Sequence, residues 1–206
     1  MRYFRTNNNF RAGMVAVCVT AFLGLSGCDA IMGLLNTGKA ARQWEGDIKE
    51  IAFSELIKDG KVFTIELHSR IDAPADKIWE SMKNPGRLAE TSEQYKKSEV
   101  LVDEGNRKEV EVHMLALGNL QMLKLEMTYD DANKVMHLKT LESAMVDIDA
   151  TYSLEASPDG SRTMYVYKAK QTDKIQLPIG TGVQESAIKE SFVNQVRAIK
   201  SQLGAG

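Results

Sequence analysis

The chain has 206 residues, 43% hydrophobic and 26% charged, with a formal net charge of −2. That length suits one ordinary domain with an extension, and the composition excludes a disordered polymer, a collagen and a polytopic membrane protein. No basic field calls for nucleic acid, so none is expected as a partner, and two cysteines cannot build a disulfide scaffold.

Residues 1–27 carry Arg2, Arg5 and Arg11 and no acid, and the stretch from Ala12 to Leu25 is uncharged. That stretch is shorter than the roughly 20 residues a membrane span needs. A basic start, a short apolar core and small residues behind it predict a secretory signal peptide. The end of the run, Leu25-Ser26-Gly27-Cys28, resembles a bacterial lipobox. The resemblance implies diacylglycerol on the Cys28 thiol and cleavage just before it. The expected product is a lipoprotein of the bacterial cell envelope, held to a membrane by acyl chains and facing the periplasm. Asp29 resembles an inner-membrane retention signal, so the inner membrane is preferred. Removing residues 1–27 leaves 23 basic against 28 acidic residues, a formal charge of −5. Attachment would then rest on the acyl chains and not on charge.

Ala40, Ala41, Trp44, Ile48, Ile51, Ala52 and Leu56 recur at spacings of three and four. They predict an amphipathic helix within Thr37–Asp59, closed by Asp59-Gly60 and resting on the domain through Trp44. The expected organisation is a signal peptide over 1–27, a lipidated N-terminus and helical tether over 28–60, and one domain over 61–206.

The domain opens with a strand from Lys61 to Ile71, in which Phe63, Ile65 and Leu67 alternate with polar residues. Pro74 suits the first turn of a helix striped by Ile78, Trp79 and Met82. Asn84-Pro85-Gly86 stops it, and a second short helix reaches Thr91. Six strands follow: Ser98–Asp103, Lys108–Leu117, Leu120–Tyr129, Lys134–Leu141, Val146–Ala156 and Thr163–Gln171. Short connections of Gly, Asn, Asp and Ser between them are hairpin chemistry. Gly180-Thr181-Gly182 forms a hinge before a long helix from Val183 to Leu203. This order predicts an α+β fold, a seven-stranded curved antiparallel sheet wrapped around a long C-terminal helix.

Ile71-Asp72-Ala73-Pro74-Ala75-Asp76-Lys77-Ile78-Trp79 resembles the I-x-A-P-x-x-x-[VI]-W opening of the START-like superfamily, also called SRPBCC. That group includes START lipid-transfer domains, Bet v 1-like proteins and polyketide cyclases. The resemblance extends over about residues 61–204, because the element order agrees too. One departure is the stretch Asn84–Ala89, which lacks the second Trp of many members. The resemblance implies a helix-grip fold with a cavity for a hydrophobic small molecule or lipid between sheet and helix. On that basis the cavity-lining candidates are Met114, Leu125, Met127, Ile148, Ala150, Tyr152, Tyr165 and Tyr167 from the strands. From the helix they are Ile188, Ser191, Phe192, Gln195 and Val196.

No catalytic or metal constellation emerges. His68, His113 and His137 each alternate with charged neighbours, and no HxH or HExxH spacing occurs. No cofactor is expected, and a monomer is. Two alternatives stay open: a polyketide cyclase-like enzyme, which needs pocket shape more than a motif, and an interaction module whose cavity has collapsed.

Overall fold

The computed structural model describes Trp44 and residues 50–91, 93–116, 118–175 and 179–204. The expected signal peptide, the lipidation site Cys28, Asp29 and most of the expected tether lie outside the described residues. The body, Ala41–Gly206, is one compact unit.

Eight strands form one antiparallel sheet: β1 (Phe53–Asp59), β2 (Val62–Ile71), β3 (Tyr95–Asp103), β4 (Arg107–Ala116), β5 (Asn119–Asp130), β6 (Val135–Ser143), β7 (Val146–Ala156) and β8 (Thr163–Asp173). Their spatial order is β1-β2-β8-β7-β6-β5-β4-β3. Between β2 and β3 come α1 (Ala75–Met82), a 3-10 turn (Pro85–Arg87) and the one-turn α2 (Leu88–Thr91). The chain ends in α3 (Thr181–Gly204), 24 residues and about 36 Å long. This is the expected helix-grip architecture with one more strand.

The extra strand corrects the reading of the tether. Residues 53–59, expected to be helical, pair antiparallel with β2 from Phe53↔His68 to Asp59↔Val62. Asp59-Gly60 is therefore a hairpin turn and not a helix stop, and Gly60 sits at φ 57°, where side chains are strained. The sheet begins at Phe53 and not at Lys61. Without β1, the outer backbone groups of β2 would have no strand to bond with, and backbone pairing outweighed a weak helical periodicity. Trp44 does rest on the body: it is buried with Met164 and Val166 on the outer face of β8, and Arg162 Nη1 donates to its carbonyl at 2.7 Å.

Alternation places one row of each strand inward. Phe63, Ile65, Leu67 and Ile71 of β2, Val110 and Val112 of β4, and Leu123, Leu125, Met127 and Tyr129 of β5 are all buried in one core. The opposite rows carry the charges, including Glu66, Lys168, Asp147 and Asp149. Register shifts in β3 against β4 and in β5 against β6 bend the sheet. The tight β4–β5 connection holds Gly118 at φ 78°, again a left-handed conformation.

Pro74 leads α1, and its carbonyl accepts from the N–H groups of Lys77 and Ile78. The helix drives Ile78 and Trp79 into the core. Trp79 meets Tyr129 edge-on at 5.9 Å between ring centroids, and its indole N–H donates to Asp131 at 2.5 Å. The hydrogen bond pins α1 to the connection between β5 and β6.

Candidate functional site

The helix α3 packs against α1, α2 and β2. Over the strands from β4 to β8 a gap remains between helix and sheet. That gap is a cavity of about 590 Å³, within the range of small-molecule sites. Its sheet side is formed by inward residues of β4 to β8, and its helix side by the face of α3 running from Gln184 through Ile188, Ser191 and Gln195 to Gln202. Ser81 and Met82 at the end of α1, Pro85 and Leu88 after it, and Gln94 and Tyr95 at the start of β3 close one flank.

Eleven of the thirteen sequence candidates line this space: Met114, Leu125, Met127, Ile148, Tyr152, Tyr165, Tyr167, Ile188, Ser191, Phe192 and Gln195. Ala150 and Val196 do not. Ala150 faces inward and is buried, but its side chain ends at Cβ, whereas the longer Leu138 opposite it on β6 and Tyr152 on its own strand reach the cavity. Val196 was expected to face the cavity beside Phe192. Each residue advances about 100° around a helix, so Val196 lies a further ~40° beyond Phe192, away from Gln195. That turn takes it into the packed core, where it is buried.

Several lining residues escaped the sequence reading. Tyr95 precedes the expected start of its strand, which begins at Tyr95 and not Ser98. Met136 and Leu138 are an alternating pair on β6, flanked by Val135, His137 and Lys139, and that alternation was the available signal. Gln184, in the first turn of α3, is buried and accepts a hydrogen bond from Lys58 Nζ. It lies two helical turns before Ser191, on the same face.

Aromatic rings make the most ordered wall. Tyr152 and Tyr167 lie 4.8 Å apart between centroids, and Tyr165 and Tyr167 stack on Phe192 at 5.8 and 6.2 Å. Burial pushes the hydroxyls of Tyr95, Tyr152, Tyr165 and Tyr167 above the ordinary tyrosine range. Their mutual proximity adds to that shift for Tyr152, Tyr165 and Tyr167, so all four remain neutral O–H groups at physiological pH. The polar groups beside them are mostly partnered. Tyr152 is hydrogen-bonded with Gln195. Gln94 Nε2 donates to Ser191 Oγ at 3.1 Å, tying α3 to the start of β3.

The histidines stand elsewhere. His68 lies 2.8 Å from Glu66 and His113 lies 3.0 Å from Glu111, both on the outer face. Asp147 and Asp149 are exposed, and Asp147 pairs with Lys174 at 2.7 Å.

No family model and no curated protein sequence matches the chain. Solved structures do. The chain is similar to the Zhui aromatase/cyclase from Streptomyces sp. R1128, at 18% identity and a TM-score of 0.61, covering 68% of this chain and 93% of that one. It is similar to a START superfamily protein from Mycobacterium smegmatis, at 10% identity and a TM-score of 0.58, covering 69% and 97%. A third is Ara h 8.0201, at 14% identity and a TM-score of 0.57, covering 70% and 99%. The body has the START-like helix-grip fold.

Proposed function

We propose that this protein is a membrane-anchored binder or carrier of a hydrophobic small molecule or lipid in the bacterial envelope. The observation that carries the reading is the cavity of about 590 Å³ between sheet and α3. A close-packed interior leaves few voids larger than a water molecule. Space of this size, walled by aromatic and aliphatic side chains with a few convergent polar groups, is what a ligand site requires. It favours binding over an interaction module with a filled interior. The lipobox-like Leu25-Ser26-Gly27-Cys28 supports the anchor, which would hold the cavity close to a source of apolar molecules.

The test uses the mature chain, residues 28–206, carrying Cys28→Ser so that it stays free of acyl chains. Native mass spectrometry follows incubation with an envelope lipid extract. Wild-type cavity residues should retain a bound species. Phe192→Trp, which pushes a larger ring into the space, should lose most of it. If nothing is retained by the parent chain, the cavity is not a binding site.

A further inference from the structure

The inner face of β8 carries a hydroxyl with nothing to bond. Tyr165 is fully buried and lines the cavity, yet its Oη has no hydrogen-bond partner. A hydroxyl removed from water and left unpaired destabilises a fold, and phenylalanine would fill the same place without that penalty. The stacking on Phe192 at 5.8 Å needs only the ring. The oxygen is therefore unexplained by packing.

The surroundings narrow what would satisfy it. The neighbouring Tyr152 hydroxyl is occupied by Gln195, and Ser191 by Gln94. Ser69, opposite Tyr165 on β2, also has an unpaired hydroxyl, but it does not line the cavity. Charge is kept away from this depth. Glu93, Lys96 and Glu190 line the cavity but are exposed, and Arg87 has an exposed guanidinium paired with Glu90. Asp173 is buried, but it accepts from Gln171 at 3.4 Å and lies at the other end of β8 from Tyr165, about 26 Å along the strand. A charged ligand group beside Tyr165 would lose its hydration with no counter-charge in return.

We infer that the ligand is an uncharged, mainly apolar molecule carrying one acceptor oxygen, which takes a hydrogen bond from Tyr165 Oη. This rests on the cavity being a binding site, and it adds the polarity and orientation of what binds there. Buried in a low-dielectric site, the phenol donates to a carbonyl or ether-type oxygen while the aromatic wall and the methionines take the hydrocarbon.

The experiment compares three probes of similar length: undecane, 6-undecanone and the decanoate anion. Each displaces 1-aminoanthracene from the mature chain with Cys28→Ser, and from the same chain with Tyr165→Phe. Tyr165→Phe should shift the ratio of undecane to ketone dissociation constants roughly three- to tenfold against the ketone, the worth of one hydrogen bond. Tyr152→Phe, whose hydroxyl already has a partner, should shift it less. In the parent chain decanoate at pH 7 should bind more weakly than the ketone. If the probes bind and Tyr165→Phe leaves the ratio unmoved, or decanoate binds tighter than the ketone, the inference fails while the cavity stands. If none of the three binds, the reading of the cavity fails with it.

Discussion

Trp79 offers the sharpest stability test, because three interactions converge on it. It is 1% exposed, packs edge-on against Tyr129, and donates to Asp131 across 52 residues of sequence. Truncating a buried Trp to Ala removes its transfer energy and leaves a cavity, together costing about 3–5 kcal/mol. For a domain of this size, 1 kcal/mol shifts the melting temperature by about 2–4 °C. Trp79→Ala should therefore lower it by about 6–20 °C. Trp79→Phe keeps an aromatic edge toward Tyr129 but gives up the N–H and the second ring, so it should cost about 1–2 kcal/mol. The pH profile supplies an independent check. The Trp79 N–H, and after it Lys83, hold the Asp131 carboxyl below its ordinary value. A carboxylate depressed in the folded state stabilises above its unfolded pKa, and that contribution fades as pH falls through the folded value. Below about pH 4 the parent protein should lose part of its stability, and Trp79→Ala should lose less. Thermal melts by circular dichroism at pH 7 and pH 3 measure both effects. A Trp79→Ala midpoint within 2 °C of the parent would refute the placement of α1 against the sheet.

Asp159, in the β7–β8 turn, accepts from the Ser157 and Ser161 hydroxyls and the Ser161 N–H, which lower its pKa to about 2. Its carboxyl should titrate near pH 2 by carbon NMR and return toward 3.8 in Ser157→Ala, and the turn's contribution to stability should disappear as pH falls through that range; a parent midpoint near 4 contradicts the geometry. Cys28→Ser in the full-length precursor should abolish incorporation of labelled palmitate and leave the protein out of the membrane fraction. Equal labelling of the variant would end the lipoprotein reading.

How far the fold was legible depended on the local signal. β7 was read to the residue, Val146–Ala156, because strict alternation was bounded by turn residues on both sides. β1 was not. FSELIKD has no buried row, only Leu56 and Lys58 half covered, since it is an end strand that the core barely reaches. Alternation marks burial on one face, and where neither face is buried it carries little information. The same limit explains Val196: a stripe of apolar residues is visible in sequence, but which edge of it touches packed core and which touches empty space depends on how the sheet curves. Tyr165 was named as a cavity residue, yet nothing in Met164-Tyr165-Val166-Tyr167 distinguishes its hydroxyl from that of Tyr167. Only the packed structure shows that the Tyr165 hydroxyl is buried without a partner.

Among the described residues, the eight-stranded sheet has two outermost strands with no further strand beyond them. One is β3, and it is poorly suited to templating a ninth strand. Its pairing slips between Tyr95 and Lys97 and again between Val100 and Val102, so its outward backbone groups are out of step. Lys97 is held there by Glu99 at 2.7 Å and Glu111 at 2.9 Å, so a newcomer would have to desolvate charge to dock. The other rim is the seven-residue β1, whose short length and Glu55, Lys58 and Asp59 limit how much a foreign strand can gain. These irregular margins disfavour edge-to-edge pairing with a second copy, so the sheet's rims are closed to partners while the concavity between sheet and α3 is the surface shaped to receive one.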